Sequence, residues 1–343
     1  MLNDITIDEY YNSHQDIPII DVRSPGEFQK GHIPHAVNVP LFSDDERATV
    51  GTCYVQESRE KAIELAYTYV NPKLNYFLEA GREVSGTGPV AVHCWRGGMR
   101  SHAFAEHLSV NSFNDVYLIK GGYKAFRNYV LNYFEQAFHL RIIGGFTGSG
   151  KTNVLQVLQQ RGEQVIDLEA LAHHKGSAFG SIGEKEQPTV EHFENCLFEA
   201  FRKLDVSKAI WIEDESINIG RAKLPMVLFK QIREQKVFFL EVPIEERINY
   251  LVNEYSQFGN ELLAEGIDKI AKRLGGQHVK SAHNYLSEGN YFEVARTVLQ
   301  YYDKAYSRGV SERDQKNVQY ISVKNTEPEA NADSLLKQIN SNE

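Results

Sequence analysis

The segment from Gly145 to Thr152 constrains the fold of this chain more than any other part of the sequence. It reads Gly-Phe-Thr-Gly-Ser-Gly-Lys-Thr and matches the pattern G-x-x-x-x-G-K-[ST] of a phosphate-binding loop. An apolar run over residues 141–145 leads into it, and a helical pattern from Lys151 to Gln160 follows it. A strand, a glycine-rich turn and a helix form a cradle of backbone N–H groups around phosphate oxygens. The sequence therefore predicts an α/β domain that binds a polyphosphate.

Side chains in and after this phosphate loop supply the expected contacts to phosphate and metal. We expect Lys151 to reach the terminal phosphates and Thr152 to ligate Mg²⁺. A later predicted strand, residues 209–212, ends in acidic residues, and a carboxylate at such a strand end orients Mg²⁺, often through water. We assign this role to Asp214, with Glu213 as the alternative. The predicted phosphate-binding residues of the loop are Gly145, Gly148, Ser149, Gly150, Lys151 and Thr152.

A second glycine-containing loop surrounds Cys94. The sequence His-Cys-Trp-Arg-Gly-Gly-Met-Arg-Ser follows a predicted strand and precedes a predicted helix. The glycines let successive N–H groups point inward, and the helix adds its positive N-terminal end. Arg96 and Arg100 add positive charge, so we expect the Cys94 thiol to be more acidic than a free cysteine. We therefore predict Cys94, Arg96 and Arg100 as catalytic residues, in a cradle that also suits the terminal anion of a persulfide or perselenide.

The alternative interpretation of Cys94 is a small buried residue at the end of a strand. The two glycines and two arginines of the loop favour a reactive thiol over this alternative. Cys53 and Cys196 lack such a setting, and Cys196 lies in an amphipathic helical pattern, so we expect both to be structural.

Length and composition set the broad class of protein. The chain has 343 residues, of which 42% are hydrophobic, as expected of a globular protein with two domains of about 150 residues each. The acidic start, Met1 to Thr6, has no positive segment before an apolar run, so we expect no signal peptide. No stretch approaches the roughly 18 apolar residues of a membrane helix. Three cysteines without an export signal indicate a reducing cytoplasm.

Strands alternate with helical patterns along both halves of the chain, which favours parallel sheets covered by helices. The predicted strands are residues 17–22, 89–93, 116–119, 141–145, 164–166, 209–212, 237–240 and 318–323. We place the domain boundary between residues 138 and 139. The predicted fold class is α/β, with a parallel-sheet domain over 1–138 and a phosphate-loop domain over 139–343. The second domain carries a helical extension over about 244–307.

Four motifs in the first half resemble those of a rhodanese domain, in the same order. They are Asp-Val-Arg-Ser-Pro-Gly-Glu-Phe from Asp21, Gly-His-Ile-Pro-His-Ala-Val-Asn-Val-Pro from Gly31, the Cys94 loop, and Lys-Gly-Gly-Tyr from Lys120. The resemblance implies a rhodanese-like domain that carries sulfur as a persulfide on Cys94. We expect Asp21 and Arg23 to hold loops around the sheet rather than to take part in the chemistry.

The whole chain resembles the tRNA 2-selenouridine synthases, in which a rhodanese-like domain is fused to a P-loop NTPase-like domain. Besides the two loops, the similarity rests on Leu-Ala-His-His-Lys-Gly-Ser-Ala-Phe-Gly from Leu171, Glu-Asp-Glu from Glu213 and Arg-Leu-Gly-Gly-Gln from Arg273. One departure is visible, because Ile217 follows Ser216 where the resemblance leads us to expect an arginine. This departure bears on that loop alone.

The resemblance implies a two-step reaction on 2-thiouridine at the wobble position of tRNA. A geranyl group from geranyl diphosphate joins the sulfur, and selenium from selenophosphate then replaces the S-geranyl group. The phosphate loop would hold the diphosphate, where Lys151 and Mg²⁺ stabilise the developing charge. Cys94 would receive selenium and deliver it to the base carbon.

Two further sets of residues are expected to contact the substrate. His173 and His174, in the Leu171 motif, are assigned to substrate or phosphate binding, although adjacent histidines also line loop surfaces. Basic residues mixed with aromatic ones in the helical extension suit contact with tRNA, although a solvated face with tyrosines in the core fits too. These residues are Lys269, Lys272, Arg273, His278, Lys280, His283, Tyr285, Tyr291 and Phe292. A net charge of −9 requires any such basic surface to be local.

Two other functions fit the same residues. In the first, ATP on the phosphate loop activates a substrate oxygen and a Cys94 persulfide supplies sulfur, which gives tRNA thiolation. In the second, the chain is a nucleotide-regulated rhodanese that senses sulfur without tRNA chemistry. No segment after the phosphate loop reads as an adenine or guanine pocket, and two intact loops argue against a sensor. The number of subunits is left open by the sequence.

Overall fold

The structure is a computed structural model that describes residues 1–340. The chain divides between Tyr133 and Phe134 into two compact units. This division lies shortly before the boundary that we place between residues 138 and 139. Among the described residues, no helix is both long enough and apolar enough to cross a membrane.

The first unit is built around a five-stranded parallel sheet. Its strands are β1 (Leu2–Ile5), β2 (Ile19–Asp21), β3 (Val37–Asn38), β4 (Val90–His93) and β5 (Val116–Ile119). They lie in the order β1-β5-β4-β2-β3, so β4 is the central strand. Val90, Ala91 and Val92 are fully buried, and since successive side chains point to opposite faces, both faces of β4 are covered.

The helices of the first unit are α1 (Ile7–Ser13), α2 (Pro25–Lys30), α3 (Asp44–Gln56), α4 (Arg59–Val70), α5 (Leu74–Ser85), α6 (Met99–Val110) and α7 (Gly122–Tyr133). Helices α5 and α6 meet in the core, where the rings of Phe77 and Phe104 are 5.3 Å apart. Helices α3 and α4 are mostly exposed, and their buried residues are Cys53 and Ala62.

The second unit contains a second five-stranded parallel sheet and a short antiparallel hairpin. Its strands are β6 (Leu140–Gly145), β7 (Gln164–Ile166), β8 (Ile210–Glu213), β9 (Asn218–Ile219), β10 (Ala222–Lys223), β11 (Val237–Glu241) and β12 (Val318–Ser322). The sheet order is β12-β11-β6-β8-β7, with β6 in the centre, and β9 pairs with β10. The two parallel sheets confirm the predicted α/β fold class.

The helices of the second unit are α8 (Lys151–Gln160), α9 (Leu168–Ala172), α10 (Val190–Arg202), α11 (Met226–Glu234), α12 (Ile244–Tyr255), α13 (Asn260–Lys269), α14 (Ala271–Leu274), α15 (Gly276–Ser287), α16 (Tyr291–Ser311) and α17 (Pro328–Asn340). Helices α12 to α16 form the helical extension. Apolar side chains such as Leu263, Ile267 and Val298 build a core there, onto which Phe179 also packs.

The two functional loops occupy the same place in their respective sheets. The Cys94 loop follows β4 and the phosphate loop follows β6, and each of these is the central strand with neighbours on both sides. In open parallel sheets, ligands bind beyond the carboxyl ends of the strands where the strand order changes direction. The fold therefore places both loops where a ligand site is expected.

Candidate functional site

Backbone contacts from the start of α7 hold the Cys94 loop. The N–H groups of Tyr123 and Lys124 donate to the carbonyl oxygens of Cys94 and Trp95, each over 2.9 Å. Gly122 has φ +55°, and a Cβ there would lie 2.3 Å from the Cys94 carbonyl oxygen, so a glycine is required. The Lys-Gly-Gly-Tyr motif thus fixes the backbone that carries the thiol.

The thiol of Cys94 is hydrogen-bonded within its own loop. The residue is 3% exposed, Gly98 N–H donates to Sγ over 3.3 Å, and Ser101 Oγ lies 3.2 Å from Sγ. Burial alone would raise the pKa of this thiol. The Ser101 hydroxyl, the charge of Arg100 and the Gly98 N–H outweigh burial, so the pKa of Cys94 is lowered. The loop therefore favours a thiolate.

Arg100 and Arg96 lie in different surroundings. Arg100 is half-buried and donates to the Glu27 carboxylate over 2.7 and 3.3 Å. Glu27 also accepts the N–H of Ser24, over 3.1 Å, and so ties Arg100 to the start of α2. Arg96 is exposed and is not among the main influences on the pKa of Cys94. The structure thus brings Arg100 to the thiol and leaves Arg96 at the loop surface.

Asp21 and Arg23 form a buried ion pair. The Arg23 guanidinium donates to the Asp21 carboxylate over 2.6 to 3.0 Å and to the Gly31 carbonyl oxygen over 2.8 Å. It also lies 3.8 Å from the centre of the Tyr123 ring. These contacts join the loop after β2 to the start of α7, which is the positioning role expected of this pair.

The other two cysteines lack the surroundings of Cys94. Cys196 lies on α10, where burial and then the charge of Glu199 raise its pKa to about 11. Cys53 is buried on α3. Of the three free cysteines, Cys94 is the one whose neighbours favour the thiolate.

The phosphate loop connects β6 to α8. Gly148 and Gly150 have φ of +82° and +72°, and a Cβ on Gly148 would lie 2.9 Å from the Arg247 carbonyl oxygen of α12. The Lys151 Nζ is 3.4 Å from the Gly145 carbonyl oxygen, which places the ammonium group over the loop. Because α8 begins at Lys151, its first N–H groups lack partners within the helix and suit phosphate oxygens.

The Thr152 side chain is hydrogen-bonded to an acid that was not predicted from the sequence as part of the site. Its Oγ1 donates to Glu169 Oε2 of α9 over 3.0 Å. The Glu215 carboxylate lies beside this pair, since a Cβ on Gly176 would be 3.1 Å from Glu169 Oε1 and 2.9 Å from Glu215 Oε2. Burial raises the pKa of both acids against the effect of Lys151, that of Glu215 to about 8.

Two more acids, Glu213 and Asp167, lie close enough to this pair to interact with it electrostatically. Glu213, at the end of β8, is fully buried, and its Oε2 accepts the Leu168 N–H over 2.9 Å. Its Oε1 has no hydrogen-bond partner in the described part of the chain. Burial, followed by the charges of Asp167 and Glu169, raises the pKa of Glu213 well above its usual range. A cation would relieve the repulsion among these carboxyl groups.

Asp214, predicted from the sequence as a Mg²⁺ ligand, pairs with cationic side chains of the protein instead. Its carboxylate pairs with the buried Arg313 and lies 3.6 Å from Arg233. The Tyr306 hydroxyl donates to its carbonyl oxygen over 3.0 Å. Two guanidinium groups thus satisfy this carboxylate, and the acid bonded to the phosphate-loop threonine is Glu169.

Mg²⁺ fits this site through the phosphate loop rather than through a cage of protein ligands. Within residues 1–340, no three His, Cys, Asp or Glu side chains are grouped as metal ligands. Mg²⁺ usually keeps several waters and binds through one or two carboxylates together with substrate phosphates. The Thr152 hydroxyl and the Glu169 carboxylate supply oxygens of this kind.

His173 and His174 have different surroundings in the loop after α9. His173 has φ +49°, and its Nδ1 lies 2.8 Å from the Glu186 carbonyl oxygen. His174 is buried, and burial followed by the charge of Lys269 lowers its pKa, which keeps the ring neutral at pH 7. His174 lines the cavity at the phosphate loop, whereas His173 is turned toward its own loop.

A large cavity in the second unit joins these groups. It encloses about 2890 Å³, counting the space at its open mouth, and the phosphate loop, Glu169, Glu215 and His174 line it. Lys269 and Arg273 of the helical extension lie on its rim. The cavity thus brings the predicted phosphate-binding loop, acidic side chains and basic side chains together in one place.

The residues that we expect to contact tRNA divide into exposed and packed side chains. The exposed members are Lys269, Lys272, Arg273, His278 and Lys280. His283 lies 2.8 Å from the Asp268 carboxylate. Tyr285 and Tyr291 pack against the apolar core of the extension. The basic side chains therefore form a surface, while these two tyrosines belong to the core.

Comparison with known proteins assigns a family to each half of the chain. Residues 6–129 match the rhodanese-like domain family, and residues 138–332 match the family described as the tRNA 2-selenouridine synthase AAA domain. The chain belongs to the tRNA 2-selenouridine synthase family. The second match spans more than half of the chain, and it confirms the resemblance seen in the sequence motifs.

Full-length relatives support the same assignment. The tRNA 2-selenouridine synthase of Sulfurovum sp. (strain NBC37-1) is 36% identical, over 84% of this chain and 87% of the relative. That of Shewanella piezotolerans (strain WP3 / JCM 13877) is 39% identical, over 76% and 77%. That of Marinobacter nauticus (strain ATCC 700491 / DSM 11845 / VT8) is 34% identical, over 89% and 92%.

Four side chains that shape the two sites were not predicted from the sequence: Ser101, Glu27, Glu169 and Glu215. Glu27 and Ser101 lie within the motifs that resemble rhodanese, but their spacing alone does not show that they meet Arg100 and Cys94. Glu169 follows β7, next to β8 in the sheet, so acids after two neighbouring strands were the available signal. Glu215 adjoins Asp214, and the fold decides which of them faces the phosphate loop.

Proposed function

We propose that the chain converts 2-thiouridine to 2-selenouridine at the wobble position of tRNA. The reaction passes through S-geranyl-2-thiouridine and uses geranyl diphosphate and selenophosphate, which makes the enzyme a transferase. Relatives that match most of the chain are named tRNA 2-selenouridine synthases, and this supports the overall conversion. We place the reaction in the cytoplasm, where its tRNA substrate is found.

In the first step of this proposal, the base sulfur attacks C1 of geranyl diphosphate. A C–S bond forms, a C–O bond breaks, diphosphate leaves with the electron pair, and the N3 proton of the base goes to solvent. The phosphate-loop N–H groups and Lys151 stabilise the charge on the leaving group. Thr152 and Glu169 would hold Mg²⁺, which would supply further positive charge at the leaving group. The neutral His174 ring is available to the substrate on the cavity wall.

In the second step, selenium joins C2 of the base and geranylthiol leaves. The C2–S bond breaks as the C2–Se bond forms, and water takes the phosphoryl group of selenophosphate. Cys94 carries the selenium as a perselenide in the cradle of Gly98 and Ser101, with Arg100 beside it. Forming the S–Se bond from the Cys94 thiolate and the selenium of selenophosphate is a two-electron oxidation, and a disulfide accepts these two electrons. After selenium has been transferred to C2, thiols supply two electrons that cleave the S–Se bond. The net step therefore consumes no oxidant.

The observation that carries this proposal is the pairing of two anion-binding loops in one chain. A loop that lowers the pKa of a thiol and a loop that suits phosphate each follow the central strand of a parallel sheet. The first suits a selenium carrier and the second a diphosphate leaving group. The exposed basic residues around Lys269, Lys272 and Arg273 are the proposed tRNA-contacting surface.

Incubation of the purified chain with 2-thiouridine tRNA tests the proposal against ATP-dependent thiolation. Geranyl diphosphate, selenophosphate and ATP are added singly and together, and the nucleosides are separated by liquid chromatography and mass spectrometry. We expect S-geranyl-2-thiouridine with geranyl diphosphate alone, and 2-selenouridine when selenophosphate is also present. A strict requirement for ATP, with no use of the prenyl donor, would contradict the proposal.

The sensor alternative requires a test in cells. The proposal predicts that tRNA from cells lacking the gene contains 2-thiouridine but no 2-selenouridine. Unchanged 2-selenouridine in that tRNA would favour a sensor.

A further inference from the structure

A second, apolar pocket lies against the cavity at the phosphate loop. Leu251, Val252 and Tyr255 of α12 form one wall, and Val294 and Ala295 of α16 form another. It encloses about 530 Å³, counting the space at its mouth, and nearly all of its lining is carbon. An apolar pocket of this kind strongly prefers hydrocarbon over polar groups.

The apolar pocket and the phosphate-loop cavity share part of their lining. Thr147, Ser177, Leu251, Tyr255 and Tyr302 border both spaces, and Thr147 belongs to the phosphate loop itself. A molecule anchored by phosphates on the loop can therefore extend into the apolar pocket. The ligand that fits both spaces has a polyphosphate head and an apolar tail.

Polar atoms at this shared border already have partners within the protein. The Tyr302 hydroxyl accepts the Ala178 N–H over 2.7 Å, and the Tyr255 hydroxyl interacts with the Ser177 side chain. A ribose or a purine in the pocket would leave its own hydrogen-bonding groups unpaired, which costs binding free energy. A hydrocarbon chain has no such groups.

We propose that this apolar pocket binds the hydrocarbon chain of the diphosphate whose head lies on the phosphate loop, and that the side chains of its wall determine which chain lengths it accepts. This inference rests on the proposed function and deepens it, because it assigns the tail of the prenyl donor to named residues. Ala295 and Val298, one turn apart on α16, both line the pocket. Their size sets how much tail the pocket accepts.

Filling the pocket is the first test. The Ala295→Phe variant adds a ring inside the pocket and leaves the phosphate loop intact. By isothermal titration calorimetry, we expect its Kd for geranyl diphosphate to be at least tenfold higher than that of the wild-type chain. Its Kd for inorganic pyrophosphate should stay within twofold of the wild-type value. The matched control is Gln300→Phe, which places the same ring on the exposed face of the same helix, and both Kd values should stay within twofold.

Enlarging the pocket is the second test and separates a tail site from general damage to the fold. The Val298→Ala variant removes carbon from the pocket wall. We expect kcat/KM for farnesyl diphosphate, relative to geranyl diphosphate, to rise at least fivefold. In Ala295→Phe, kcat/KM for the shorter dimethylallyl diphosphate, relative to geranyl diphosphate, should rise. Opposite shifts in chain-length preference do not arise from misfolding.

The outcomes distinguish this inference from the proposed function. If the wild-type chain transfers geranyl groups but neither variant changes chain-length preference, the pocket assignment is wrong and the proposed function stands. Equal affinity of the wild-type chain for pyrophosphate and geranyl diphosphate also overturns the pocket assignment. Failure of the wild-type chain to bind any prenyl diphosphate overturns both.

Discussion

Burial and hydrogen bonding have opposite effects on the pKa of the Cys94 thiol. Burial favours the neutral thiol, while Ser101, Arg100 and the Gly98 N–H favour the thiolate, and the second group prevails. At Cys196, burial and Glu199 act together, and the pKa rises to about 11. Reactivity at neutral pH is therefore a property of the loop and not of cysteine alone.

Arg100 and Arg96 provide a matched test at the residue scale. Since the charge of Arg100 lowers the pKa of Cys94, the Arg100→Gln variant should move the midpoint of Cys94 alkylation to higher pH. Arg96→Gln, in the same loop but exposed, should leave the midpoint unchanged. The rate of iodoacetamide labelling of the Cys94 peptide, followed by mass spectrometry from pH 5 to 10, gives both midpoints. Equal shifts in the two variants would contradict this assignment.

The acids after β8 show where residue-level prediction stops. The run Glu213-Asp214-Glu215 is visible in the sequence, and along an extended chain neighbouring side chains alternate in direction. The sequence alone does not reveal whether Asp214, or Glu213 together with Glu215, faces the phosphate loop. The structure turns Asp214 toward Arg313, which follows α16, and places Glu215 beside Glu169 of α9, and both contacts join residues that are distant in the sequence.

At the scale of elements, α12 and α16 clamp the phosphate loop through Arg247. Its guanidinium donates to the Thr147 carbonyl oxygen over 3.1 Å and to both oxygens of Asp303 over 2.8 Å. It also lies 5.0 Å from the centre of the Phe146 ring. Arg247 is nearly fully buried, so its charge depends on Asp303 for compensation.

The Asp303→Ala variant should destabilise the second unit by about 2 kcal/mol, because it leaves a buried guanidinium without its partner. Glu245→Ala removes an ion pair between the same two helices, with Arg296, but that pair is exposed and should cost less than about 1 kcal/mol. The free energy of unfolding of each variant is measured by urea unfolding, followed through the fluorescence of Trp211 in a Trp95→Phe background. A loss in Glu245→Ala as large as in Asp303→Ala would contradict the clamp.

The sequence predicts elements where a motif or a long apolar run marks them. Strands β4, β6 and β8 and helix α8 begin and end within one residue of their predicted bounds. These elements are largely buried, so their sequences must be apolar and are easy to recognise. Strand β3 and the β9–β10 hairpin have only two residues per strand, too few for periodicity to show. Helices α3 and α4 bury little, so an apolar stripe is weak in their sequences.

At the scale of the whole molecule, a chain with a net charge of −9 has to bind tRNA through a local basic surface. Lys272 is exposed on α14 and lies outside the cavity lining. The Lys272→Ala variant should weaken tRNA binding and reduce the slope of log K against log salt by about 1. Lys203→Ala, at the C-terminal cap of α10 and paired with Glu199, serves as the control and should change neither the affinity nor the slope. Filter binding between about 50 and 200 mM salt measures the slopes, and identical slopes in both variants would exclude this surface.

The two loops also predict a division of labour across the chain. In the proposed reaction, the geranyl step would need a diphosphate site, and the selenium step would need a chalcogen carrier. Lys151→Ala should therefore reduce formation of S-geranyl-2-thiouridine by about a hundredfold or more, on the scale of losing one charge that stabilises a leaving group. A normal rate of prenyl transfer in this variant would place the diphosphate elsewhere.

The most direct measurement is nucleoside analysis of 2-thiouridine tRNA treated with the Cys94→Ser variant, geranyl diphosphate and selenophosphate. The substitution removes the thiol and leaves the phosphate loop unchanged. We predict that S-geranyl-2-thiouridine accumulates while 2-selenouridine falls below detection, in a variant whose circular dichroism matches the wild type. Equal loss of both nucleosides in a folded variant, or wild-type levels of 2-selenouridine, would contradict the role of Cys94 as the selenium carrier.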